Sequence, residues 1–254
     1  MIDLHCHILP GVDDGAPTLE DALAMCRLAA ADGCEAMVAT PHQRREPWWN
    51  DDVERLRALA SQLQERTREA IGNGFRVLLG GEVHVDREIL AEVERLPGGT
   101  ILPLAGSHYL LLELDHWGGM TEAIHLIHEV AVAGWRPILA HPELIPWLDL
   151  EGLARLVELG ATAQVTAMSI TGDFGRRPMQ AAHQMIDAGL VHFLASDAHD
   201  VRRRPPGLRR ACLMIAGRWG DDLAQRLSMD NPRAVVEDRP LPILQKDVQE
   251  DQAS

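Results

Sequence analysis

His, Asp and Glu stand at the ends of apolar runs along nearly the whole chain. Asp3-Leu4-His5-Cys6-His7 opens the series and Asp13-Asp14-Gly15 follows. Thr40-Pro41-His42, Gly81-Glu82, Leu112-Glu113, Ala140-His141-Pro142 and Ser196-Asp197-Ala198-His199 continue it. One such run means little, but a succession of them points to strands that deliver imidazoles and carboxylates to one rim, as a metal centre requires.

Residues two apart in a strand face the same side. His5 and His7 can therefore hold one ion, while Cys6 turns into packing. Asp13-Asp14-Gly15 lies in a loop just past that strand. Asp-Gly is also a common turn, yet beside His-x-His one of the two aspartates is a ligand candidate. His42 follows an apolar strand directly. Glu82 ends a run in which Gly80 and Gly81 allow close approach. Glu113 sits inside Leu110–Leu114, where a carboxylate is costly unless paired or metal-bound. His141 ends another run, and Asp197 and His199 share a face. The set holds five histidines and four carboxylates. Mixed nitrogen and oxygen donors suit Mn, Fe or Zn better than Ca or Mg. Nine donors exceed the need of one ion, so two or three ions sharing a carboxylate fit better, a device used to hydrolyse phosphate esters. His84 lies two residues beyond Glu82 and can face the same site. His125, His128 and His183 fall on helical stretches, and His108, His116 and His192 have no pattern behind them.

The elements that must position these residues read clearly. Strand-like runs cover residues 2–7, 36–40, 76–82, 109–114, 137–141, 161–166 and 191–196. Helical periodicity covers 18–32, 51–71, 86–96, 120–133, 151–159, 177–188 and 208–216. Thr18 caps the first helix and Gly33 follows its end. Strands alternating with helices over short links predict a parallel α/β sheet, closed or nearly closed, with seven strands rather than the usual eight. No repeat or linker divides the chain. The expectation is one domain over 1–240 and a tail over 241–254.

Composition excludes several chemistries. The chain has 254 residues, 46% of them hydrophobic and 4% aromatic, so aliphatic side chains must fill the core. A net charge of -14 argues against general nucleic-acid or anionic-membrane binding. Lys246 is the single lysine, so the body has no Walker lysine, no Schiff-base lysine and no lysine to bridge metals as a carbamate. Arginine is in any case the better fork for phosphate. Cys6, Cys26, Cys34 and Cys212 form no Cys-x-x-Cys pair, which fits reduced thiols in a cytoplasmic protein. No signal peptide or membrane span is expected.

The opening Asp3-Leu4-His5-Cys6-His7-Ile8-Leu9-Pro10-Gly11-Val12-Asp13-Asp14-Gly15 closely resembles that of the PHP (polymerase and histidinol phosphatase) superfamily. It is nearest to the manganese-dependent, capsule-type bacterial protein-tyrosine phosphatases of exopolysaccharide operons. Thr40-Pro41-His42, Gly81-Glu82-Val83, Tyr109–Glu113, Ala140-His141-Pro142-Glu143, Ser196–His199 and Asp230-Asn231-Pro232-Arg233 also resemble that family, in order, over about residues 1–238. The resemblance implies a distorted seven-stranded (β/α) TIM-like barrel and three divalent ions, Mn first, with Fe or Zn as alternatives. By matching position, His5, His7, Glu82 and Asp197 would hold one ion. A bridging Glu82 with Glu113 and His141 would hold the second, and Asp14, His42 and His199 the third. Arg204, before Pro205-Pro206, would steady charge on the phosphoryl group. The family commonly has an arginine where this chain has Leu144. Arg44 and Arg45 are substitutes for it, against an ordinary role as solvated loop charge.

The implied reaction is hydrolysis of a phosphotyrosine ester on the tail of a membrane-bound tyrosine kinase that governs polysaccharide export, carried out in the cytoplasm. Such a tail is acidic, as this chain is, so docking is expected to be weak and salt-sensitive. The alternative is a small-molecule phosphatase of the histidinol-phosphate type. A nuclease lacks a basic patch here. A non-enzymatic scaffold would not need an intact ligand set. A cysteine phosphatase needs His-Cys-x5-Arg, and the arginine position after Cys6 is Val12. Composition and motifs leave the oligomeric state open.

Overall fold

The chain is described here by a computed structural model that covers residues 1–241 apart from Arg87 and Trp117. The tail expected over 241–254 falls, but for Leu241, outside the described residues.

The alternation anticipated from periodicity is present. β1 (Ile2–Cys6) leads through α1 (Leu19–Asp32) to β2 (Ala36–Ala39) and the short β3 (His42–Gln43). Then follow α2 (Val53–Ala70), β4 (Arg76–Leu79), β5 (Glu82–His84), α3 (Ile89–Glu94), β6 (Tyr109–Glu113), α4 (Met120–Val132) and β7 (Arg136–Ala140). The second half runs α5 (Leu150–Glu158), β8 (Thr162–Thr166), α6 (Ala167–Thr171), α7 (Arg176–Asp187), β9 (Phe193–Ala195), α8 (Arg209–Trp219), α9 (Asp221–Gln225) and α10 (Asn231–Val236). The Thr18 hydroxyl accepts from Asp21 N, and Gly33 closes α1 in the left-handed conformation at φ 98°. α6, α9 and α10 were not expected. Each has five or six residues, too few for a periodic pattern.

Hydrogen bonding corrects the single seven-stranded barrel in one respect: the strands form two parallel sheets, in the orders β1-β2-β4 and β3-β5-β6-β7-β8-β9. The expected strand 36–40 ends as β2 before Thr40-Pro41, with β3 an unexpected short strand beyond it, and the expected strand 76–82 is broken in two at Gly80-Gly81. Pro41 has no N–H to donate to a ladder. At Gly81 a Cβ would lie 2.1 Å from Gln43 Oε1, so only glycine lets that side chain cross. Gln43 then ties the break together, donating to Asn50 O and Thr100 O and accepting from Leu102 N. At the far edges, Asp197 N donates to His5 O and His7 N to Ala198 O, at 2.9 and 2.8 Å. The buried Asp3 carboxylate accepts from Ser196 N at 3.0 Å and from its hydroxyl at 2.5 Å. These bonds join the end of β1 to the end of β9.

One face of the strands (Cys6, Met37, Ala39, Leu110, Leu112, Leu139, Val165, Leu194) packs beneath the helices. The other carries Ile2, Leu4, Ala36, Val38, Tyr109, Leu111, Ile138, Ala140 and Phe193 toward the N-terminal ends of the strands. Following that second face toward the C-terminal ends leads to the polar residues. Glu113 continues Tyr109 and Leu111 by simple alternation. β1 is different. Leu4 belongs to the apolar cluster, yet its neighbour His5 enters the site, because the register with β2 shifts between Asp3 and Cys6. That irregularity turns His5 and His7 inward. Among the described residues no helix is long and apolar enough to cross a membrane.

Candidate metal centre

All nine residues singled out by motif meet at the C-terminal ends of the strands, in four overlapping donor groups. These are His7, Asp14, His42 and His199; His5, His7 and Asp197; His5, Glu82 and His141; and His42, Glu82 and Glu113. Glu82 stands in two groups, as a shared carboxylate would. The partition departs from the one implied by resemblance: His141 groups with His5 and Glu113 with His42 rather than with each other, Glu82 is absent from the group of His5, His7 and Asp197, and His7 also joins Asp14, His42 and His199. Eight of the nine are buried; Asp14, on the loop after β1, is exposed.

The backbone bends to aim several of them. His141 and Asp197 have φ of 34° and 52°, left-handed values that cost non-glycine residues about 1–3 kcal/mol each and cluster at functional sites. After His141, the Glu143 carboxylate accepts from Thr166 N at 2.9 Å and from its hydroxyl, which fastens the turn to β8. Gly15 lets the Asp13-Asp14 loop lie on β1, since a Cβ there would sit 2.0 Å from His7 O.

The imidazoles are oriented from behind. His5 Nδ1 donates to Gln164 Oε1 and His7 Nδ1 to Asp13 Oδ2, both at 2.8 Å; His199 Nδ1 donates to Asp197 O at 3.0 Å. With the Nδ1 protons so committed, the Nε2 lone pairs point into the site. His5 Nε2 and His7 Nε2 then face each other at 3.3 Å, and His5 Nε2 is 3.3 Å from Glu82 and 3.4 Å from Asp197. His141 Nε2 is 2.9 Å from Glu82 Oε1. His42 Nδ1 and Glu82 Oε2 are 2.7 Å apart, both buried, and neither makes a well-formed hydrogen bond. Imidazole nitrogens and carboxylate oxygens converging in a buried site call for a cation. The donor set therefore fits divalent metal.

The electrostatics agree. Burial opposes charge on His5, but Glu82 and Asp197 outweigh it and push its pKa up to about 9. Burial of His42 is likewise outweighed by Asp14 and Glu82, and its pKa rises to about 10. Against their own burial, Glu82 is held well below the usual carboxylate range, chiefly by His5, His141 and His42, and Asp197 by His5, His7 and Arg204. His199 moves the other way, lowered by burial and by the charges of His7 and Arg204 despite Asp14.

Arg204 lies beside this cluster. Its guanidinium pairs with Asp197, contacts His199 Nε2 at 3.2 Å and lies over the Phe174 ring. Arg44 turns away to Asp86 at 2.8 Å, whereas Arg45 reaches Glu113 at 2.8 Å. His84 Nδ1 stands 3.4 Å from Glu113 Oε2, on the site side as its spacing allowed. Cys6 packs among apolar groups with its thiol on Val38 O, and burial pushes its pKa well above the ordinary value, so it offers no thiolate nucleophile. Sequence reasoning weighed Asp13 as a ligand or a turn residue, not as the partner of His7, and passed over Gln164 and Trp48. Trp48 stacks on His42 at 5.4 Å between ring centroids. Gln164 could have been found by alternation, since Ala163 and Val165 face the helices. Trp48 carried no such signal.

The model of the family described as capsular polysaccharide synthesis, CpsB/CapC, matches residues 1–237. The tyrosine-protein phosphatase YwqE of Bacillus subtilis is 33% identical over 233 residues, 90% of this chain and 89% of that protein. A putative tyrosine-protein phosphatase CapC of Staphylococcus aureus is 34% identical over 209 residues, 81% of this chain and 79% of that one. Crystallography of YwqE and of CpsB from Streptococcus pneumoniae, described as metal-dependent tyrosine phosphatases, provides a structure that superposes with a TM-score of 0.87. It shares 31% identity and covers 95% of this chain and 96% of its own.

Proposed function

The chain belongs to the CpsB/CapC family, and from that membership and the geometry above we propose that it is a metal-dependent phosphomonoesterase acting on phosphotyrosine. The observation that carries the reading is the convergence of buried imidazole nitrogens and carboxylate oxygens, with Glu82 in two of the four donor groups and His5 Nε2 facing His7 Nε2 at 3.3 Å. The ligands would be His5, His7, Asp14, His42, Glu82, Glu113, His141, Asp197 and His199, holding two or three ions, Mn first. Bound there, such ions supply Lewis acidity toward phosphoryl oxygens and lower the pKa of a water.

The protein's own residues do the rest. Asp13, Gln164 and the Asp197 carbonyl hold imidazole protons outward, so that neutral nitrogens face inward. Arg204, about one-third exposed, faces the developing phosphoryl charge. Trp48, flat against His42, offers an apolar wall to an aromatic ester. A phenolate leaves more readily than an alkoxide, which lessens the demand for a general acid.

The substrate of this reading is the phosphotyrosine-bearing tail of a membrane-bound tyrosine kinase in capsule or exopolysaccharide synthesis, met on the cytoplasmic side. The catalytic unit is one domain over 1–240, with the bonds between the ends of β1 and β9 supporting a barrel-like closure. The test is a matrix of metals against substrates. Metal-stripped protein is loaded with Mn, Fe, Zn or Mg and offered a phosphotyrosyl peptide, a phosphoseryl peptide and histidinol phosphate. Phosphotyrosyl turnover should dominate with Mn and vanish with EDTA; preference for histidinol phosphate, or no turnover with any metal, overturns the reading.

A further inference from the structure

Two arginines reach the donor cluster, and they are placed alike. Arg204 touches the carboxylate of Asp197 and, at 3.2 Å, Nε2 of His199. Arg45 touches the carboxylate of Glu113 at 2.8 Å and Nε2 of His42 at 3.2 Å. Each guanidinium thus spans one carboxylate and one imidazole of the candidate ligand set, and the two come from different loops.

The loop that carries Arg45 is built to hold it. Arg44 N donates to Trp49 O and Arg45 N to Trp48 O, at 3.0 and 3.2 Å, closing a tight turn. Asn50 pins the turn from below, donating to His42 O at 2.7 Å and Val12 O at 3.1 Å. Arg44 anchors it sideways on Asp86. Both contacts of the Arg45 side chain use Nη1, which leaves Nη2 and Nε on a side chain 36% exposed. A cation held by Glu113 would compete with Nη1 for that carboxylate and leave the guanidinium free for an anion. The planar fork of arginine matches two phosphoryl oxygens at once.

We infer that Arg45 is a phosphoryl-binding residue, the partner of Arg204 in gripping the oxyanion over the donor cluster. The inference rests on the phosphatase reading, so its test reads inorganic phosphate rather than peptide turnover. Orthophosphate is titrated calorimetrically into Mn-loaded wild type, Arg45→Ala and Arg45→Lys, and Mn is titrated separately into each metal-free protein. Phosphate affinity should fall about tenfold or more in Arg45→Ala. Arg45→Lys should lie between, keeping the charge without the fork. Mn affinity should hold or rise, because Glu113 loses a competitor. Unchanged phosphate affinity in Arg45→Ala overturns the inference. A parallel fall in phosphate and Mn affinity overturns it too, since Arg45 would then only hold Glu113. If wild type fails on every phosphotyrosyl substrate while Arg45→Ala still loses phosphate, the catalytic reading falls and the anion site stands.

Discussion

The two ends of the strands are built on opposite principles. At the C-terminal ends, buried imidazoles and carboxylates crowd together, with His5, His7 and Glu82 at most 1% exposed. At the N-terminal ends, the same strand face is closed by Ile2, Ala36, Tyr109, Ile138 and Phe193, with Val235 of α10 packed against them. The polar groups there lie at the rim: Asp238 meets His108 and Arg136, and Tyr109 donates to Arg239 O at 2.8 Å. A cavity of about 430 Å³ at that end is lined by Tyr109, Arg136, His192, Leu223 and Asn231, and no group of metal donors lies there among the described residues. One end stores desolvated charge that a cation can use, and the other supplies the apolar burial that lets the chain tolerate it. Changes at the first should alter chemistry, and changes at the second stability.

The sharpest contrast comes from one substitution at each end. Glu82→Gln keeps size but removes the carboxylate common to two donor groups; turnover should fall by roughly a thousandfold or more, with fewer Mn ions bound per chain by calorimetry. Phe193→Ala empties a fully buried site and should lower unfolding free energy by about 3–5 kcal/mol, while kcat/KM of the folded protein stays near wild type. If Phe193→Ala abolished metal binding in protein that still folds, the two ends would not be separable.

The ligand end was the more legible in sequence for a physical reason. A carboxylate inside Leu110–Leu114, or imidazoles two apart on a strand, are costly unless something compensates them, so residue type alone betrays the site. Apolar runs gave all seven strand segments, but neither the break at Gly80-Gly81 nor the extra strand β3 past Pro41. These depend on Pro41 lacking a donor and on Gln43 passing Gly81, a contact between residues far apart in sequence. The register shift in β1 was hidden too, because strict alternation puts Leu4 on the face of Cys6, opposite His5 and His7, whereas Leu4 packs in the inner cluster while His5 enters the site. The grouping of Glu113 with His42 follows from three-dimensional placement, as does the separation of Arg44 from Arg45, neighbours that turn to Asp86 and Glu113.

The stored charge has a pH signature. His5 and His42 carry folded pKa values of about 9 and about 10, above the ordinary 6.5. In metal-free protein their protons therefore add stability that is fully present below pH 6.5 and is lost as pH rises through 9 to 10. A metal ion needs the same nitrogens unprotonated, so binding releases protons and strengthens with pH, about tenfold per unit for each proton released. The gap between melting temperatures with and without Mn should widen from pH 6 to pH 9, with proton release visible as a buffer-dependent binding enthalpy. A gap constant across that range would show that these imidazoles do not exchange protons for metal.

The smallest expected effect tests the other side of the comparison. Asp238 accepts from His108 N at 2.8 Å, and its carboxylate lies 2.6 Å from His108 Nδ1 and 3.4 Å from Arg136. Those partners are more than one-third exposed, where ion pairs contribute about 0–1 kcal/mol. Asp238→Asn keeps an acceptor for His108 N and tolerates the left-handed backbone at φ 50°. Its cost by urea unfolding should stay under about 1 kcal/mol, with Mn stoichiometry and turnover unmoved. Charge at this rim would then be dispensable because water already solvates it, whereas the same kinds of group at the opposite rim have lost their water and depend on one another. A loss well beyond that bound would mean that the apolar end, too, is held by its ionic contacts, and that burial alone does not divide the molecule.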